Sequence, residues 1–173
     1  MAPIPTLAEL FAKTRHSVTH LEMRDTYGTS SLGYQAWRKG VPIEEIARYD
    51  YLKPWVELVA GHVARGVSFR RARIISEPVS DYIRYEYGIT PAANLVAGER
   101  VRWLPRPQAR DIALPGCDFW QFDGGLVRFV FQDGDGEKVG NDLSDDPAVA
   151  ELCSSAFEAV WSRALDHQEY KPA

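Results

Sequence analysis

Several things are scarce in this chain. Its 173 residues include two cysteines, Cys117 and Cys153, too few for a disulfide scaffold or a zinc site built from cysteine alone. No run of eighteen apolar residues occurs, and the opening MAPIPTLAELF lacks the basic and apolar regions of a secretory signal, so a cytoplasmic protein with no membrane partner is expected. There is no GxSxG elbow, phosphate-cradling glycine loop or GxGxxG fingerprint, which removes the usual support for hydrolase, nucleotide-triphosphatase and dehydrogenase readings. Lysine is missing between residues 65 and 110, where nine arginines face four acids, Glu77, Asp81, Glu86 and Glu99, within a chain of net charge −4. The overall acidity argues against direct nucleic-acid binding. An arginine-only middle implies either internal ion pairs or one local anion-binding surface, because the guanidinium fork matches carboxylates and phosphates.

What is present suffices for one core: 45% of the residues are hydrophobic and 12% aromatic. Leu7, Leu10, Phe11 and Thr14 recur at helical spacing behind a Thr6/Glu9 capping box. The period then changes to two, which predicts a strand over 18–24. Helices are expected over 30–39 and around Trp55–Val63, the latter closed by Gly66. FRRARIIS, 69–76, reads as a strand, followed by two short helices over 80–87 and 91–96 separated at Pro91, and by the strand RVRWL, 100–104. DFWQFDGGLVRFVF, 118–131, is a hairpin turning on Gly124-Gly125, and the last helix runs from Pro147 to about Leu165. Strands alternating with helices and ending in a meander predict an α/β fold, a mixed sheet flanked by helices. A single domain over 1–173 is expected, with an N-terminal region, 1–52, packed on a core, 53–167.

The polar motifs divide into those that fail a chemical test and those that do not. HSVTH would align His16 and His20 on one helix face with Glu22 nearby, but the predicted strand breaks that face, and no metal or cofactor is expected. DGDGEKVGNDLS has Lys138 and Ser144 where a calcium loop needs glycine and a bidentate glutamate, so it reads as a tight turn. Two stretches remain. HLEMRD offers Glu22, Arg24 and Asp25. RRARIISEPVSDYIRYEY sets Arg73, Glu77, Tyr82 and Arg84 around the C-terminal end of a strand, where open α/β sheets bind ligands. Trp37 and Trp120 would supply an aromatic wall. Glu77 is either a general base or ligand holder, or one half of a buried ion pair fixing the strand-helix corner.

HLEMRD, the RRARIISEPVSDYIRYE block, AGERVRWLPR (97–106), LPGCDFWQFD (114–123) and FEAVWSRALDHQEY (157–170) recur in the same order in the actinobacterial domain-of-unknown-function family 6879, which the chain resembles over nearly its whole length. Members are typically encoded beside small helix-turn-helix regulators, so the resemblance implies a regulator protein as partner and supplies no catalytic residue. At the level of fold, residues 58–165 are similar to one half of a phospholipase D-like domain. Active members carry HxKxxxxD on the first hairpin strand, the histidine accepting the phosphoryl group and the lysine stabilising its charge. With Asp123 at the aspartate position, Gly116 and Asp118 occupy the other two, which implies the sheet without that chemistry. Such halves often pair about a two-fold axis, so a homodimer is implied as well.

The resulting expectation is a non-catalytic ligand-sensing or partner-binding accessory of a helix-turn-helix transcription regulator. The alternative is a hydrolase-like enzyme acting on a small anionic substrate, with Glu22 or Glu77 as base and Arg73 and Arg84 holding the anion.

Overall fold

A computed structural model describes residues 4–173. It is built on a seven-stranded mixed sheet of order β6-β5-β4-β1-β2-β3-β7, flanked by helices, as the sequence predicts. The strands are β1 (Ser17–Glu22), β2 (Ser68–Ile75), β3 (Arg100–Pro105), β4 (Asp118–Phe122), β5 (Leu126–Gln132), β6 (Lys138–Ser144) and β7 (Leu165–Asp166). The helices are α1 (Leu7–Lys13), α2 (Leu32–Arg38), α3 (Ile43–Ile46), α4 (Lys53–Ala64), α5 (Asp81–Ala93) and α6 (Pro147–Arg163). β1, β2 and β3 run parallel, joined by helical crossovers, while β4, β5 and β6 form an antiparallel meander on the other side of β1. β1 is therefore the seam between the parallel and antiparallel halves. The strand of the N-terminal region, β1, thus pairs with both β2 and β4 at the sheet's centre.

Local signals start the helices. The Thr6 hydroxyl accepts from the Glu9 N–H at 3.2 Å while the Glu9 carboxylate accepts from the Thr6 N–H at 2.7 Å, which satisfies two donors that α1 would leave orphaned. Ser80 caps α5 by accepting from Ile83 N–H at 3.1 Å, and Asp146 caps α6 from Ala148 N–H at 2.8 Å with Pro147 in the first turn.

Three elements differ from expectation. α5 runs unbroken through Pro91, the two helices predicted there being one. Burial of Ile89 and Thr90 holds the turn together, and the Thr90 hydroxyl donates back to the Glu86 carbonyl at 2.6 Å, a bond that helps a helix tolerate a proline-induced bend. β6 has no counterpart in the sequence pattern because KVGNDLS carries only two apolar residues; it is an edge strand with Val139 exposed. β7 is two residues long, below any periodic signal.

Alternation along the strands gives the sheet two faces. One carries Leu21, Ala72, Ile74, Leu104 and Phe119 and is closed by α6 through Cys153, Phe157 and Val160. The opposite face carries Val18, Phe69 and Phe122 under α1 and α4, whose Leu10, Phe11 and Val59 complete that layer. Toward the carboxyl ends of β1 and β2 this second face turns polar while staying buried: His20, Glu22, Arg71, Arg73 and Asp118 point into it.

The hairpin turn between β4 and β5 is made by Asp123, with φ +49°, and Gly124, with φ +70°. Aspartate is among the few side chains that adopt this left-handed backbone readily. Its carboxylate accepts from the backbone N–H groups of Arg15, His16 and Ser17 at 2.8, 2.7 and 2.9 Å, fastening the hairpin to the entry of β1.

Candidate functional site

Glu22, the last residue of β1, is the hub of the buried polar layer. Its Oε1 accepts from Arg71 Nη1 at 2.5 Å and lies 3.2 Å from His20 Nε2; its Oε2 accepts from Arg73 Nε at 2.6 Å. Arg71 also donates to Glu99 at 2.8 Å, and Glu99 accepts from Asn94 at 2.5 Å. Arg73 donates to Thr90 Oγ1 at 2.7 Å and faces Glu86 at 3.2 Å. His20 donates through Nδ1 to the Phe119 carbonyl at 2.7 Å and stacks on Trp120 with centroids 3.8 Å apart. Arg71 in turn lies over the Trp120 ring, 5.2 Å from its centroid, and Arg73 over Trp103 at 4.8 Å. Both arginines thus have carboxylate and aromatic partners on the inside.

The electrostatics follow from that arrangement. Burial disfavours ionisation of Glu22, but Arg71, Arg73 and His20 outweigh it and hold the carboxyl well below the usual range. Glu86 receives less help. Burial dominates, Arg73 pulls the other way, and the carboxyl is pushed up to about 7, with Oε2 buried and without a hydrogen-bond partner. Burial also raises Asp118, whose oxygens accept from Met23 N–H at 2.8 Å and from the Tyr27 hydroxyl at 2.7 Å.

Two recesses open beside this layer, at the carboxyl end of β1 and the facing start of β4, and both are lined by Asp118 and Gln132. The smaller, of about 230 Å³, lies on the polar side and is bounded by His20, Glu22, Tyr27 and Trp120. The loop after β5 closes it: Glu137 accepts from Thr29 N–H at 2.7 Å and from the Ser30 hydroxyl at 2.8 Å. Gly28 leaves room for that carboxylate, since a Cβ there would fall 2.2 Å from its Cδ. The larger recess, of about 460 Å³, is bounded by Met23, Leu114, Pro115, Gly116 and Phe131, with Arg24 in its wall. Its size and mainly apolar lining with a few polar groups are those of a small-molecule site, at the switch between the parallel and antiparallel halves of the sheet.

Of the residues singled out from sequence, Glu22, Arg73 and Trp120 meet in the buried layer, and Arg24 lines the larger recess. Tyr82 reaches the layer's rim by packing on Tyr27, with ring centroids 5.8 Å apart. The others lie elsewhere. Asp25 accepts from Ser76 N–H and hydroxyl, each at 2.7 Å, and pairs with Arg106 at 3.2 Å; this trio fixes the corner after β2, the part expected of Glu77. Glu77 is exposed and accepts from the Tyr170 hydroxyl at 2.6 Å, away from both recesses. Arg84 is exposed on the outer side of α5, because Ile83, Tyr85 and Glu86 take the inward positions. Trp37 lines neither recess; it packs with Tyr34 and Tyr85 in an aromatic cluster that anchors α2 to α5 and meets the layer through Tyr82. The pairing of Arg73 with Arg84 as anion holders does not form, since Arg73 is occupied by Glu22 and Glu86 and Arg84 points away.

His20, Arg71, Glu86, Glu99 and Asp118 complete the layer, and residue type alone does not single them out. A signal exists all the same: His20 with Glu22, Arg71 with Arg73 and Asp118 with Trp120 each sit two residues apart on strands otherwise rich in apolar residues. Polar residues at period two on a sheet covered on both faces must find one another.

Among solved structures the chain is similar to TrmBL2, described as an archaeal chromatin protein showing a novel mode of DNA binding, at 14% identity and a TM-score of 0.46. The likeness covers 91% of this chain and 47% of the other, so this chain spans about half of that protein's length. No curated protein sequence matches. Residues 5–172 match the family model described as domain of unknown function (DUF6879), and the chain belongs to that family.

Proposed function

We propose that the protein is a ligand-sensing accessory without catalytic activity, whose ligand enters the paired recesses at the β1–β4 edge and whose bound state is read by a helix-turn-helix transcription regulator. The observation that carries this reading is the pairing of Glu22, the carboxylate that bounds the smaller recess, with two arginines. Glu22 accepts from both arginines and is held ionised at a low proton affinity, which makes it a weak general base at neutral pH. Glu77, the other carboxylate expected from sequence to act as a base, stands outside the recesses. What the recesses offer is shape, apolar surface and a few polar groups, the materials of binding.

The regulator partner is proposed from the family resemblance, in which such proteins are encoded beside helix-turn-helix regulators. A second, fold-level resemblance over residues 58–165 supports reading that part of the sheet as a phospholipase D-like half, with Gly116 and Asp118 at the places of the catalytic histidine and lysine, and a homodimer as its assembly. Mixing the purified chain with the helix-turn-helix protein encoded beside it, and following the mass by light scattering, tests the partnership. A complex whose affinity changes in Gly116→Phe, which fills the larger recess, is expected. A monodisperse mixture of unbound components would contradict it.

A further inference from the structure

Resting on the sensing role just proposed, we infer that the larger recess takes a small apolar monoanion, a carboxylate on an aromatic or aliphatic body, whose charge is met by Arg24. The contrast among the arginines leads here. Arg70, Arg71, Arg73, Arg102, Arg106 and Arg163 each lie within 4.0 Å of a carboxylate; Arg24 is among the arginines that make no ion pair among the described residues, and it is the one that lines the larger recess. Its Nη2 donates to the Asp133 carbonyl at 2.8 Å, and its Nε is buried with no acceptor. The guanidinium thus brings to the recess wall a positive charge that no carboxylate of the described residues pairs with, and a carboxylate is the acceptor whose geometry suits a guanidinium.

The rest of the wall sets the remainder of the ligand. Met23, Leu114, Pro115 and Phe131 are apolar, and Phe131, 40% exposed, leaves ring surface for an apolar body to cover. Asp118 lies in the same wall with both oxygens already accepting hydrogen bonds, so a second negative charge on the ligand would face it unscreened. This favours one carboxylate over a dianion. Arg24 thus supplies, in the recess wall, the cation that the anion-binding role expected of Arg73 and Arg84 requires and that neither of those residues provides.

Calorimetric titration of the full chain at pH 7 with 3-phenylpropionate, its amide and 3-phenylpropylamine tests the assignment, using Arg24→Gln and Gly116→Phe alongside wild type. A Cβ at Gly116 would meet nothing within 4 Å, so the recess wall accepts a side chain at this position. The carboxylate is expected to bind at least about tenfold more tightly than the amide, with the amine weaker still, and Arg24→Gln is expected to erase the preference for the carboxylate. Gly116→Phe should remove binding of all three. Equal binding of the three probes, blocked by Gly116→Phe, would overturn the charge assignment while leaving the recess as a ligand site. Binding to wild type that survives Gly116→Phe, or no binding by any probe, would overturn the recess as the site together with the charge.

Discussion

Glu22 and Arg73 are joined at 2.6 Å across the boundary between β1 and β2, both buried, and Arg71 completes the bridge from the other carboxylate oxygen. A paired buried charge adds little net stability, but removing one partner leaves the other desolvated and alone. Glu22→Gln should therefore cost about 3–5 kcal/mol in urea unfolding at pH 7. Because the folded carboxyl lies below its ordinary value of 4.5, the stability it contributes is present above that pH and is lost as pH falls through the folded value. A variant as stable as wild type would show that the layer does not hold the strands together.

Glu86 gives the opposite slope. Between its ordinary value of 4.5 and its folded value of about 7 the folded state holds a proton that the unfolded chain has released, so its contribution is full below 4.5 and declines as pH rises toward 7. His167 works the other way. Burial depresses it from 6.5 to about 4, and the Trp103 indole donates to its Nδ1 at 3.2 Å, so between those values the unfolded chain binds the extra proton and stability rises with pH. Comparing wild type with Glu86→Gln isolates the first effect. Relative to the variant, wild type should lose about 1–3 kcal/mol from pH 4.5 to 7 in chemical denaturation, since each tenfold difference in proton affinity between the two states is worth about 1.4 kcal/mol. A difference that does not vary with pH would show that Glu86 is ionised throughout.

The fold is legible wherever one face of an element is apolar, as with Leu10 and Phe11 in α1 or Phe157 and Val160 in α6. β6 escapes because an exposed edge strand need not alternate, and the continuity of α5 is hidden because burial around Thr90 overrides the preference of Pro91. The site is legible in part. Glu22, Arg73 and Trp120 declare themselves by residue type, yet their partners are remote along the chain, 49 positions separating Glu22 from Arg71. Glu77 and Arg84 fall outside the site because the turn after β2 and the helical period of α5 direct them outward, which residue type alone does not reveal.

Asp123 should be sensitive to substitution although it is exposed. Asp123→Ala loses acceptors for three backbone N–H groups and strains a left-handed residue, so a destabilisation of about 1–3 kcal/mol is expected from thermal or urea unfolding. Asp123→Asn, which keeps a side-chain oxygen and tolerates the backbone, should lose less. Equal losses would mean that the two carboxylate oxygens, and not the turn conformation, carry the effect.

Glu77→Ala should leave ligand binding intact. The glutamate is exposed, and its bond to Tyr170 ties down only the C-terminal segment, so a loss of under about 1 kcal/mol is expected from urea unfolding. Loss of 3-phenylpropionate binding in a folded Glu77→Ala protein would return this residue to the site.

Native mass spectrometry of the protein purified gently from its own host tests the sensing role most directly, with wild type and Gly116→Phe compared side by side. Wild type is predicted to carry a small-molecule mass that is absent from Gly116→Phe, with both proteins folded by circular dichroism. An adduct retained by Gly116→Phe, or wild type free of any adduct, would contradict a ligand held in the recess that Arg24, Gly116 and Phe131 enclose.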